Sequence, residues 1–471
     1  MSNVRKRIIL TSGLILALMA PVSARAQVDI SREIANPGFD PERTSIVVAD
    51  AASGKIIAAH RPDLALNPAS CAKLATSLAA LEIMGPGYRF KTTLASDAPR
   101  DAGGSIGTLY IRGEGDPSLI NEEIAALAAQ LRASGLRRVT GGIVIDNSYF
   151  DSFDFPRKGG DNGRAFTASI SAVAVNFNSI GVTVAAGKHG GAARVTLEPP
   201  LEDYRVINKV ITRGKTRISI KTNTGAEGMS VTVSGSISPG AGPSTYWRAV
   251  DDPVGYAGAV IAHHFRENGI EVSGPIRSGV MPPGAPIVAE QLSRSLAEIV
   301  YDMNKHSTNF VAEQITKHLG GRRFGAPGST EKGVAAIEEF LASIGVPRGS
   351  AVLENGSGLS AISRISAQQL VKVLVSAYQN HKVRSDFMNS LSVLGVDGTM
   401  KRWGRIAPEL VGSLYAKTGT LDGVSTLAGY VVMPGNRLAA FAILANGLPR
   451  GVWAAKEAEL DVVKEIAGVQ R

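Results

Sequence analysis

The sequence predicts a mixed α/β (α+β) chain in which one helix-and-sheet domain is split by a β-rich insertion. Three observations carry this. A hairpin and an apolar helix open the chain between Thr44 and Met84. From about Ile287 onward helices return, followed by two strong β runs and a last amphipathic helix. Between these ends, about Phe90 to Gly284 is cut into short strands by glycine turns. With 471 residues the chain exceeds one ordinary core, so two or three domains are expected.

The elements follow in order. Ile46-Val47-Val48 and Ile56-Ile57-Ala58 read as paired strands about a turn through Ala51-Ala52-Ser53-Gly54. Pro68 suits the first turn of a helix, where a missing N–H costs nothing. Leu74, Leu78 and Leu81 keep helical spacing until Gly85-Pro86-Gly87 stops it. Phe90 to Leu94, Leu109 to Ile111 and Gly142 to Ile145 read as strands, Glu122 to Ala133 as a helix. Val182 to Val233 alternates apolar and polar residues and reads as small, mostly β structure. Tyr256 to Asn268 is helical. Its adjacent His263 and His264 point in different directions, which argues against a shared metal. Further helices span Ser293 to Asn304, Ser307 to Leu319, Glu331 to Ile344 and Ser366 to Asn380. Leu427 to Met433 and Leu438 to Ala445 read as two strong β runs separated by Pro434-Gly435-Asn436, and Trp453 to Ala467 as a last amphipathic helix.

Composition narrows the function. The formal charge of +9 falls to +5 once Arg5, Lys6, Arg7 and Arg25 of an apparent leader are removed. No basic block is interleaved with aromatics, so nucleic acid is not an expected partner. Arg5-Lys6-Arg7, the apolar Ile8 to Ala20 and the small-residue Ala24-Arg25-Ala26 predict a signal peptide over residues 1–26, cleaved between Ala26 and Gln27. Its apolar stretch is short for a bilayer. Export to the periplasm without a transmembrane anchor is the expectation. The single cysteine, Cys71, permits no internal disulfide and no cysteine-type zinc site, and no metal or other cofactor is expected.

Three short motifs carry the chemistry. Ser70 and Lys73 share a helix face, so the amine reaches the hydroxyl. A serine hydroxyl attacks only when something takes its proton, and lysine does so only while held neutral by burial or a second cation. Cys71 lies roughly 100° around the helix from that face, which reads as a packed thiol. Ser307-Thr308-Asn309 sits at a helix start, and Lys417-Thr418-Gly419-Thr420 immediately precedes the Leu427 strand region. Each alone is an ordinary helix start, cap or turn. Together, in this order, they are the motif set of penicillin-binding proteins and serine β-lactamases.

Because the insertion falls between the first and second motifs, the sequence resembles the low-molecular-mass class C penicillin-binding proteins, the D-alanyl-D-alanine carboxypeptidase/endopeptidase family. Gly115-Asp116-Pro117-Ser118-Leu119, Ile145-Asp146, Asn355-Gly356-Ser357-Gly358-Leu359-Ser360 and Asp397-Gly398-Thr399 extend the likeness. The resemblance implies a split penicillin-binding/β-lactamase-like transpeptidase domain (27–88 and 287–471). It also implies an inserted domain (89–185 and 241–286) and a nested third domain (186–240). It implies that Ser70 attacks the carbonyl between two D-alanines of peptidoglycan stem peptides, with Lys73 as base, and that β-lactams acylate the same serine. Ser307 and Asn309 would relay a proton and hold Lys73, Lys417 would help keep Lys73 neutral, and the N–H groups of Ser70 and Thr420 would meet the oxyanion. Lys417, Thr418 and Thr420 would bind the terminal carboxylate, with Gly419 letting the substrate approach the strand. For the free end of the side chain the resemblance points to Asp146, to Arg364 near the place where the family usually has arginine (here Ala361), and to Asp422 where some relatives have glutamine.

Two rival functions are distinguishable. A serine β-lactamase or esterase needs a carboxylate poised over the ester, and no Glu-x-x-x-Asn segment occurs between Ser70 and Ser307. A non-catalytic peptidoglycan-binding protein would have lost a motif residue, and none is lost.

Overall fold

One six-stranded antiparallel sheet ties the two ends of the chain together. Its strands run in the order Ser392–Val393, Leu414–Leu421, Val424–Met433, Arg437–Asn446, Thr44–Asp50 and Ile56–His60. The opening hairpin thus docks on the last strand, with Thr44 opposite Ala445 and Asp50 opposite Ala439. The computed structural model describes residues 28–151, 163–202, 204–225 and 228–469, so the expected leader lies outside the described residues.

Strand alternation sends Val47 and Ala49 to one face of this sheet and Ile46 and Val48 to the other, and each pair joins a different core. Helices cover both faces, which explains why these strands read as nearly continuous apolar runs. On one face lies the helix Ala72–Met84, buried all round from Ala72 to Leu81 and packed against Asn309–Phe324, Thr330–Ser343 and Ala367–Gln379. On the other lies the closing helix Gly451–Ala467.

The middle of the chain builds a second core. A five-stranded sheet orders Ile276–Ser278, Ile143–Asp146, Leu109–Gly113, Lys91–Ser96 and Ile287–Leu292. The helices Asn121–Ala133 and Pro253–Glu267 contribute Leu127, Leu131, Val260 and Phe265 to its core. Ile287–Leu292 is a strand paired antiparallel with Lys91–Ser96. Two three-stranded sheets form the nested β structure, sharing a core of Val182, Val184, Val210, Ile220, Val231 and Val233. Their strands run from Ser179 to Ala249, and the first of them, Ser179–Ala185, supplies Val182 and Val184 to that core.

Candidate active site

Ser70 is set in a single 3₁₀ turn, Ala69–Cys71, that leads into the helix Ala72–Met84. Ala69 is held at φ +45°, a left-handed conformation that alanine seldom adopts, by an N–H donated to Asn67 Oδ1 at 2.9 Å. Asn67 is fixed in turn, its Nδ2 donating to Ser360 O at 2.7 Å. Gly358 packs on this turn: a Cβ there would stand 1.8 Å from Ala69 O, and its φ is +77°. The Asn355–Ser360 segment is therefore a clamp on the serine turn. One turn into the helix, Lys73 Nζ donates to Ser70 Oγ at 3.2 Å, Asn309 Oδ1 at 2.8 Å and Ser357 O at 2.6 Å.

The second motif sits in a break between two helices. Leu296–His306 opens with a capping box of Ser295 and Glu298 and ends at Ser307 in the left-handed conformation, φ +57°. The next helix starts at Asn309. The break lets two residues two positions apart serve different lysines: Asn309 accepts from Lys73, and Ser307 Oγ accepts from Lys417 Nζ at 2.8 Å.

The third motif is itself a strand, Leu414–Leu421, where the sequence reading placed it just before one. Its inner edge pairs with Val424–Met433 along its whole length, whereas its outer neighbour, Ser392–Val393, reaches only Ala416 and Tyr415. Among the described residues, 417–421 therefore have no strand partner on their outer edge. Thr418 Oγ1 lies 2.9 Å from Thr399 Oγ1. Asp397 beside it takes Lys305 Nζ at 2.6 Å, so the Asp397-Gly398-Thr399 segment braces the strand. Gly419 serves packing: a Cβ would meet Thr426 Oγ1 at 2.2 Å, Pro68 O at 2.9 Å and Ala69 Cβ at 3.0 Å. Its missing side chain lets the strand lie against the serine turn. Cys71 is buried, its thiol donating to Lys417 O and accepting from Thr426 Oγ1, each at 3.2 Å.

A model of the D-Ala-D-Ala carboxypeptidase 3 (S13) family matches residues 26–467. The chain belongs to that family. It is 32% identical over 449 residues to the D-alanyl-D-alanine carboxypeptidase of an Actinomadura species, covering 89% of this chain and 80% of that one. It is 27% identical over 410 residues to D-alanyl-D-alanine carboxypeptidase DacB of Haemophilus influenzae, 84% of each chain. The crystal structure of penicillin binding protein 4 (dacB) from H. influenzae superposes with a TM-score of 0.78 at 25% identity, covering 92% of this chain and 98% of that one. A predatory endopeptidase from Bdellovibrio bacteriovorus shares the fold, with a TM-score of 0.53 at 18% identity over 90% and 92% of the chains. This S13 protein is a serine-type D-Ala-D-Ala carboxypeptidase with a multidomain penicillin-binding fold.

Electrostatics favour a neutral amine at Lys73 in this S13 site. Lys73 and Lys417 are both fully buried. Burial is the main influence holding Lys73 well below the usual lysine range, and the Lys417 ammonium adds to it. Burial also pushes Lys417 down to about 8, and pushes the Cys71 thiol up to about 11, away from thiolate reactivity. One carboxylate pulls Lys73 the other way. Glu313, buried one helical turn past Asn309, accepts the N–H of Ser357 at 2.9 Å and raises the proton affinity of Lys73. The sequence reading missed it. Its position at i+4 from Asn309, on the same helix face, was the available signal.

The remaining expected residues divide. Arg364 and Asp422 line one cavity of about 700 Å³ beside Ser360 and Ala361. Asp146 does not line it. Asp146 is buried, with one oxygen accepting from Ser148 N at 2.9 Å and the other from Met281 N at 2.8 Å. Those bonds tie strand ends together and leave its carboxylate engaged. Thr420 is exposed next to the buried Lys417, Thr418 and Gly419. Among the described residues no helix is long and apolar enough to cross a membrane.

Proposed function

We propose that Ser70 is the nucleophile that attacks the carbonyl between two D-alanines of a stem peptide, and that Lys73 is the base that activates it. The observation that carries this is one amine bonded to both Ser70 Oγ and Asn309 Oδ1 in a buried setting that disfavours its charge. Lys73 takes the serine proton, and Ser307, linked to Lys417, passes a proton to the departing amine. The N–H groups of Ser70 and Thr420 stabilise the oxyanion. Lys417 draws the terminal carboxylate to the open strand edge, where Thr418 and Thr420 offer hydroxyls. Water then hydrolyses the ester. A β-lactam mimics the same carbonyl and carboxylate and leaves Ser70 acylated. The Arg364–Asp422 cavity takes the zwitterionic end of the stem peptide, with cross-linked peptides a second substrate. Export places the enzyme in the periplasm after cleavage behind Ala26. In domain terms the catalytic part comprises residues up to about 88 and those after Leu292, with the insertion between.

Release of D-alanine from a pentapeptide ending in D-Ala-D-Ala tests this reading. Wild type is expected to release it, and Lys73→Met to lose at least about 10³-fold in kcat/KM. Activity surviving in Lys73→Met would refute the assignment of the base.

A further inference from the structure

A second cavity, of about 920 Å³, shares Phe166 with the one lined by Arg364 and Asp422. Ser307 and Asn309 line it, and Thr418 to Thr420 do not. It thus adjoins the groups that deliver a proton to the leaving nitrogen. Its volume suits a short peptide, and single D-alanine is far smaller.

The walls are built at a conformational cost. Asn176, Phe177 and Asn178 are three consecutive non-glycine residues with φ of +51°, +59° and +48°. Buried side-chain bonds hold them there. Asn176 Nδ2 donates to Asn121 Oδ1 at 2.8 Å and Tyr256 OH at 3.0 Å; Asn178 Nδ2 donates to Ser169 O and Ser171 Oγ, each at 2.8 Å. The result is an aromatic ring, Phe177, left 38% exposed and set edge-on to Phe310, the residue after Asn309. Trp247, 45% exposed on a regular strand, is a second large apolar surface on the same cavity. The charged rim is acidic. Glu122 and Glu198 are exposed on it, while Arg294 is already paired with Asp302 at 2.7 Å.

We propose that this cavity is the subsite for the second stem peptide of a D,D-cross-link, the strand that leaves as an amine. The inference rests on the roles proposed above for Ser70 and Ser307. The Ser70 Oγ–carbonyl bond forms, the C–N bond to the second strand breaks, and the proton taken by Lys73 returns to that nitrogen through Ser307. The freed amine gains a positive charge in water, and the acidic rim of Glu122 and Glu198 complements it. Phe177 and Trp247 cover the apolar parts of the departing strand.

The test compares two sugar-free substrates, a D,D-cross-linked peptide dimer and a monomeric pentapeptide, with wild type, Phe177→Ala, Trp247→Ala and Glu198→Lys. The wild type cuts both. In each variant the ratio of dimer cleavage to D-alanine release falls, about tenfold for the aromatic truncations. Trp247 and Glu198 are exposed, so those variants remain informative if Phe177→Ala disturbs its strained loop. An unchanged ratio, or a wild type that releases D-alanine yet leaves the dimer intact, overturns the proposal. A wild type inactive on the pentapeptide as well would instead refute the proposed function on which this one stands.

Discussion

Glu313 Oε1 accepts the backbone N–H of Ser357 at 2.9 Å, and the carbonyl of that same Ser357 accepts from Lys73 Nζ at 2.6 Å. A buried carboxylate and the basic amine are thereby joined through one residue of the clamp on the serine turn. Burial lowers the proton affinity of Lys73 most, the Lys417 ammonium lowers it further, and the Glu313 carboxylate raises it.

Burial raises the proton affinity of Glu313 itself, opposed by the Ser357 N–H and by Lys73. Glu313→Gln keeps the hydrogen-bond shape and removes the carboxylate charge that those two contacts favour. Lys73 then binds its proton less tightly, so the acid limb of kcat/KM for D-alanine release moves to lower pH. A residue that only braced the loop would lower activity at every pH without moving that limb. The pH–rate profile of this variant, read against wild type, separates the two.

Lys417→Gln moves the same limb the opposite way, because a like charge beside Lys73 is lost. It also removes the cation for the substrate carboxylate, and KM for the pentapeptide rises by about tenfold or more. In wild type, binding weakens as the pH climbs through about 8, where Lys417 gives up its proton. Substrate KM measured from pH 6 to 10 checks both expectations.

The three motifs were legible because each needs particular residue types at fixed spacing, and their order along the chain located the insertion. Long-range partners were not legible. Glu313 reads as any helix acid until Ser357 returns 44 residues later to donate to it. Asp146 reads as a free carboxylate at a strand end, yet Met281, 135 residues on, takes one of its oxygens. The open edge of Leu414–Leu421 depends on its neighbour Ser392–Val393 being two residues long, a length too short for periodicity to reveal.

Gly419→Ala places a methyl 2.2 Å from Thr426 Oγ1 and 3.0 Å from Ala69 Cβ. The overpacking destabilises the fold by about 1–3 kcal/mol. It also pushes the third-motif strand away from the serine turn, so penicillin acylation slows by more than the loss of folded protein explains. Thermal melts paired with acylation rates give the two numbers.

Cys71→Ala removes a packed thiol and leaves Thr426 bonded to Pro68 O at 2.9 Å. Stability falls by about 1 kcal/mol, and D-alanine release stays within about threefold. A folded but inactive Cys71→Ala enzyme would transfer the nucleophile's role from Ser70 to the thiol.

One hydroxyl, Ser70 Oγ, is expected to carry the acyl group. Intact-mass analysis after benzylpenicillin treatment, followed by peptide mapping, tests it most directly. Wild type is expected to gain a single penicilloyl group mapped to Ser70, and Ser70→Ala to gain none. A stoichiometric adduct on another residue, or one that persists in folded Ser70→Ala, would contradict the account.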